Sequence, residues 1–323
     1  MKDSGSDVSD SSVARKTVSL VLGSGGARGM AHVGVIEYLL DQDYDIRCIS
    51  GASIGALVGG IYATGRLDLF RDWLLALSKT DVLRYLDFSF SGTALFRGEK
   101  IIDALRGLVG EHLIEDLPVT YTAVATDVER QKEVWIADGP LFDAIRASIA
   151  VPTIFTPYHY RGMRLLDGGL LNPVPIAPTL KEVTDLTIAV NLNAVSVNHS
   201  IHKPPHKPAH NVLGRKDVTA PPAGIVEVYH RRISDFLDEL QQSFSDLAFR
   251  SSGADDLGLF DLLNNSFETM QNAITNIKLA TYSPDVVIEI PRETCKAHEF
   301  YRARELVEIG YERAAEGMAL VYN

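Results

Sequence analysis

Residues 17–65 read TVSLVLGSGGARGMAHVGVIEYLLDQDYDIRCISGASIGALVGGIYATG. The first six are apolar and β-rich, and they predict a buried strand. A glycine-rich turn follows at 23–29, and then a run in which Val33, Ile36, Leu39 and Leu40 recur at helical spacing. DIRCIS at 45–50 predicts a second strand, which runs into GASIG and a helix of small residues. Strand, glycine turn, helix, twice over, is the pattern of an α/β domain with a mostly parallel central sheet and helices on both faces, a three-layer α/β/α sandwich.

The rest of the chain extends that pattern. Residues 66–116 have helical spacing, 119–126 predict a third strand, and RLLDGGLLNPVP at 164–175 predicts a strand that ends in a tight turn. Further strands are expected at 185–193 and 284–291, and a last helix at 298–320. Residues 1–16, polar and acidic at their start, are expected to be a disordered tail without the apolar stretch of a secretory signal. Residues 17–323 then make one domain. It carries a Pro- and His-rich loop at 196–224 and an acidic helical insertion or cap at 225–282. His199, His202, His206 and His210 fall in the loop, with no Cys or paired carboxylates beside them, so a solvated loop is the expectation rather than a metal site.

Bulk composition narrows the function. With 46% apolar and 23% charged residues, the chain has the material for a sizeable core. A formal net charge of −11 argues against nucleic acid as a partner and against polybasic anchoring on anionic lipid. Cys48 and Cys295 make no disulfide framework, which fits a reducing, cytoplasmic setting. No run of about 18 apolar residues predicts a spanning helix. The oligomeric state is left open, a homo-oligomer included.

Three elements carry chemistry. G-x-S-x-G occurs once, as Gly51-Ala52-Ser53-Ile54-Gly55, where a strand meets a helix. There the glycines permit a sharp turn, and the helix N-terminus favours developing negative charge. Taken alone, the motif reads equally as a tight turn with Ser53 capping the helix. Gly23-Ser24-Gly25-Gly26-Ala27-Arg28-Gly29 offers consecutive amides, suited to an oxyanion or to a phosphate. The strict dinucleotide spacing G-x-G-x-x-G fails at Arg28, and a looser Gly23, Gly25, Gly29 spacing survives. Asp167-Gly168-Gly169 is first a turn signal. A nucleotide-binding or catalytically silent protein on a doubly wound sheet therefore stays open. So does a Ser-His-Asp triad using His32, His159, His230 or His298, although its usual fold places several strands before the elbow.

Together and in this order, the three elements resemble the patatin-like phospholipases, most closely the bacterial members related to neuropathy target esterase. Arg146-Ala147-Ser148-Ile149-Ala150-Val151-Pro152 and Asp167-Gly168-Gly169-Leu170-Leu171-Asn172-Pro173 resemble family stretches as well. The likeness is good over roughly residues 17–195 and weaker at the last strand and helix. It implies a patatin-like fold and a lipid acyl hydrolase of the phospholipase A or lysophospholipase type. Ser53 would be the nucleophile and Asp167 the base of a Ser–Asp dyad, without metal or cofactor. Gly51 and Gly55 would form the elbow. Gly25, Gly26 and Ala27 would surround the oxyanion, with Arg28 a supporting charge. The substrate would be a phospholipid or another long-chain ester, met through peripheral membrane contact. Large apolar residues between 69 and 96, among them Phe70, Trp73, Leu74, Phe88 and Phe90, are expected as core, or as an acyl-chain wall or mobile cap.

Overall fold

A computed structural model describes residues 15–77, 94–194 and 255–320. The chain divides into two compact units, Met1–Val197 with Phe267–Asn323, and Asn198–Ser266. The first holds the sheet and everything described below. The tail at 1–14, residues 78–93 with Phe88 and Phe90, and the loop at 196–224 with its four histidines lie outside the described residues, as does His230.

Strands β1 (Thr17–Leu22), β2 (Asp45–Ala52), β3 (Ala94–Phe96), β4 (Thr120–Asp127), β5 (Lys132–Ile136), β6 (Thr153–Phe155), β7 (Tyr158–Tyr160), β8 (Met163–Asp167), β9 (Leu186–Ala194) and β10 (Val286–Pro291) alternate with helices α1 (Ala31–Asp41), α2 (Ile54–Ala63), α3 (Leu67–Ala76), α4 (Glu99–Val109), α5 (Leu141–Ser148), α6 (Asp255–Tyr282) and α7 (Ala303–Ala319). The main sheet runs β10-β9-β1-β2-β4-β8-β7, with β5 also paired to β4. From β10 to β4 every pairing is parallel. The pairings of β4 with β5 and β8, and of β7 with β8, are antiparallel. The sheet is thus mostly parallel, as expected, with an antiparallel end. Short turns join β4 to β5 and β7 to β8, because antiparallel neighbours need no crossover helix.

The apolar run of β1 is explained by burial on both faces. Val18, Leu20 and Leu22 join the main core with residues of α1, α2 and α7. Val21 turns the other way and packs with Ala189, Val174 and Ile176 under Leu279 and Tyr282 of α6. Helices therefore cover both faces, which makes the three layers. Each fully buried leucine contributes about 1.5–3 kcal/mol relative to exposure.

Several boundaries differ from those expected. β2 continues to Ala52, two residues further, because Gly51 pairs with Leu22 and Ala52 with Val124. Residues 66–116 are not helical throughout: α3 and α4 are separated by a segment that ends in β3, which pairs with β6. α7 begins only at Ala303, after two 3-10 turns. Phe70 and Leu74 are core residues, and Trp73 stacks on Phe70 at 5.9 Å.

Candidate active site

Strand register brings the three sequence elements to one end of the sheet. Leu22, the last residue of β1, pairs with Gly51 of β2, so the glycine-rich turn and the elbow leave the sheet side by side. Ala52 pairs with Val124 of β4, and Ala125 pairs with Asp167, the last residue of β8. Ser53 and Asp167 thus emerge on the two flanks of the same strand, β4. Open α/β sheets bind ligands outside the carboxyl ends of their parallel strands, and this is such an end.

Ser53 has φ 55° and ψ −125°, a left-handed conformation that side chains rarely adopt. The elbow glycines make this turn fit. A Cβ on Gly55 would collide with the Leu22 carbonyl oxygen, and one on Gly51 would meet the Ala56 amide. The Ser53 carbonyl accepts from the amides of Ala56 at 3.0 Å and Leu57 at 3.2 Å, which starts α2. Its side chain makes no capping hydrogen bond, so the hydroxyl is left for other work at the positive end of that helix.

Asp167 is 1% exposed. Its Oδ1 accepts from the Gly169 amide at 2.7 Å, while the buried Oδ2 has no hydrogen-bond partner among the described residues. Burial pushes the carboxyl up to about 7, and the Ser53 hydroxyl and the Gly169 amide draw it partly back. Ser53 is therefore within electrostatic reach of the carboxylate without a hydrogen bond of ordinary geometry to Oδ2. Catalytic hydrogen bonds are commonly loose before substrate arrives.

In the glycine-rich turn, the amides of Gly25 and Gly26 donate to no acceptor among the described residues. Ala27 is different: its amide donates to the Ala297 carbonyl at 2.8 Å and is not free for an oxyanion. The Arg28 side chain, 4% exposed, is also committed. It donates to the Arg292 carbonyl at 2.9 Å and to Asn193 Oδ1 at 3.1 Å, and pairs with Glu268 at 3.2 Å. Its charge is met by Glu268, and its contacts tie the loop to β9, to the turn after β10 and to α6.

Two side chains that no motif singled out support the pair. Ser148, at the end of α5, accepts from the Ser53 amide at 2.9 Å and donates to the Val124 carbonyl at 2.6 Å, so it fixes the strained residue to β4. Two residues on, the Ala150 carbonyl accepts from the Asp167 amide at 3.0 Å. The other is Gln271 of α6, whose Nε2 donates to the Gly169 carbonyl and to Ser24 Oγ. Ser148 lies in a stretch that had a sequence signal without an assigned role; Gln271 had no signal.

No described histidine is hydrogen-bonded to Ser53 or Asp167. His32 is fully buried. Its Nε2 bonds the Gly23 carbonyl at 2.8 Å, and burial pushes the imidazole down to about 4. A carbonyl only accepts, so this nitrogen carries the proton and the ring is neutral near pH 7. His159 and His298 are exposed. Among the described residues no group of His, Cys, Asp and Glu could hold a metal ion, and no helix is long and apolar enough to cross a membrane.

A family model described as patatin-like phospholipase matches residues 20–180, which span all three elements. An uncharacterized NTE family protein of Mycobacterium tuberculosis is 40% identical, covering 93% of this chain and 91% of that protein. A patatin-like phospholipase domain-containing protein of Caenorhabditis elegans is 35% identical over 49% of this chain and 12% of its own length. Patatin-like phospholipase domain-containing protein 6 of Mus musculus is 33% identical over 54% of this chain and 13% of its own.

Proposed function

The chain belongs to the patatin-like phospholipase family, within its NTE-related branch, and on that footing we propose that it hydrolyses carboxylic esters of lipids through a Ser53–Asp167 dyad. One observation carries the reading: a strained serine and a buried carboxylate with one unpartnered oxygen flank the end of the same strand.

In the first half-reaction the Ser53 Oγ attacks the ester carbonyl while its proton passes to Asp167 Oδ2. The other carboxylate oxygen stays fixed by Gly169. The carbonyl oxygen becomes an oxyanion, received by the Gly25 and Gly26 amides. Each such donor is worth roughly 10²–10³ in rate. Arg28 acts on this loop by holding it, since its own charge is paired with Glu268. Collapse breaks the ester C–O bond, the leaving alcohol takes the proton from Asp167, and the acyl group remains on Ser53. Water then attacks the acyl-enzyme, Asp167 accepts its proton, and the fatty acid leaves as Ser53 is reprotonated. A carboxyl raised to about 7 suits this duty, because a general base works best when its pKa lies near the operating pH.

The substrate class is a phospholipid, lysophospholipid or similar long-chain ester, approached from a lipid surface. Met270 and Ile277, both exposed and two turns apart on one side of α6, offer apolar contact to such a surface. The test is labelling by a serine-directed fluorophosphonate, paired with fatty-acid release from a lipid panel. Wild-type protein labels at Ser53 and releases fatty acid, whereas Ser53→Ala does neither. Absence of labelling in the folded wild-type chain would sink the hydrolase reading and favour a binding protein.

A further inference from the structure

The matched family region ends at residue 180, yet a buried side chain from far beyond it reaches both catalytic loops. Gln271 lies on α6 and is 5% exposed. Its Nε2 donates to the Gly169 carbonyl at 3.1 Å and to Ser24 Oγ at 3.2 Å. Because the carbonyl accepts only, the amide group must be oriented with its nitrogen inward, and its two hydrogens serve two loops. One loop is the turn after Asp167. There the residue that Gln271 holds by its carbonyl, Gly169, gives its own amide to Asp167 Oδ1. The other is the glycine-rich turn, where Ser24 directly precedes the free amides of Gly25 and Gly26. Ser24 is held from two further sides, by its amide on the Pro173 carbonyl at 2.8 Å and by Asn193 Nδ2 on its own carbonyl at 3.2 Å. The fit at Gly169 is close: a Cβ there would collide with Gln271 Nε2 and with Ser24 Oγ.

We propose that Gln271 is a positioning residue for acyl transfer, its one amide nitrogen fixing the spacing between the turn that carries the base and the loop that receives the oxyanion. The proposal rests on the Ser53–Asp167 reading. It differs from simple packing in one respect. Loosening Gly169 weakens the amide hydrogen bond that favours the charged form of Asp167, so the base itself changes, as well as the stability of the fold.

The test compares the full chain as wild type, Gln271→Ala, Gln271→Met and Asp167→Asn. It measures kcat and KM for a long-chain ester against pH, and the rate of fluorophosphonate labelling at Ser53. Methionine keeps the length and apolar stem of glutamine without its donors, so it carries the test if the alanine variant does not fold. The expected result is kcat lowered by roughly 10- to 100-fold with KM within about two-fold, since small displacements of reacting groups act on the chemical step. Labelling slows in parallel, and the acid limb of the pH profile moves upward. A folded variant with wild-type kcat overturns the proposal, and so does one with lower kcat but an unmoved acid limb, which would show a merely structural role. If Asp167→Asn labels as fast as wild type, the dyad reading itself has failed, whatever Gln271 does; if that variant is inert while Gln271→Met is normal, only the present proposal falls.

Discussion

Two regions of the molecule meet at the site and differ in kind. The strand ends at residues 17–55 and 163–169 supply the groups that would do chemistry, and they do so through backbone geometry: a left-handed serine, colliding-distance glycines and free amides. Helix α6 supplies no reacting group. It contributes isolated side chains, Glu268 to Arg28, Gln271 to two loops, and Lys278 to Glu133 at 2.6 Å. In the first region close backbone approach restricts which residues fit, so the signal lies in motifs. In the second a regular helix carries contacts that any polar helix could in principle carry, and only the assembled fold gives them meaning.

The most direct way to break this contrast is to remove the reacting groups. Ser53→Ala and Asp167→Asn are each expected to lower kcat by about 10³-fold or more, with the double variant little worse than either, because groups acting as a unit are non-additive. Steady-state ester hydrolysis with circular dichroism as a fold control checks this. Independent, multiplying losses would dissolve the dyad.

The next effect is on pH. With Asp167 pushed up to about 7, the active, deprotonated form is lost as pH falls. The log of kcat/KM should drop by about one unit per pH unit below 7, roughly 100-fold down at pH 5. A profile flat down to pH 5 would mean that the base is not this buried carboxyl.

Ser148→Ala sharpens the comparison from within the first region. It leaves the strained Ser53 amide without its acceptor and should lower kcat by about ten-fold while the protein stays folded, the cost of a displaced nucleophile. Hydrolysis at saturating substrate reads it out. Unchanged kcat would mean that β4 and α2 alone hold the elbow.

The smallest effect is expected at the far end of α6. Lys278 and Glu133 are both about one-fifth to one-quarter exposed, and Glu133 also accepts from Asn172 and Trp135. Lys278→Ala should cost about 1 kcal/mol in urea unfolding and change kcat less than two-fold. A large kcat loss here would show that the whole helix, rather than Gln271, tunes the site.

These contrasts also explain what the amino-acid order made legible. Ser53, Asp167, Gly51 and Gly55 were recognisable because close backbone approach demands glycine at set spacings. The parallel strands were recognisable because burial on both faces leaves an uninterrupted apolar run, as in β1. The antiparallel end was harder: β7 is three residues long, too short for alternation to register. Ala27 sits inside the right motif, yet its amide is claimed by Ala297, a partner 270 positions away that no local pattern announces. Gln271 is one polar residue on a polar helix, and its two acceptors lie in distant segments.

The positive φ of Ser53 has a consequence for how such a protein changes over time. A left-handed side-chain residue costs about 1–3 kcal/mol, and glycine would remove that cost. Asp167 is adverse in the same sense. Its folded value of about 7 lies above the ordinary 3.8, so its penalty is absent below about pH 4, grows as pH rises, and is complete above about pH 7. Ser53 and Asp167 therefore both sit uphill of their neutral replacements at physiological pH. A lineage released from the need to hydrolyse its substrate would drift first at these two positions and grow more heat-resistant as it fell silent. Glycine at 53 with asparagine at 167 would be the fossil imprint of a retired enzyme that kept its shape.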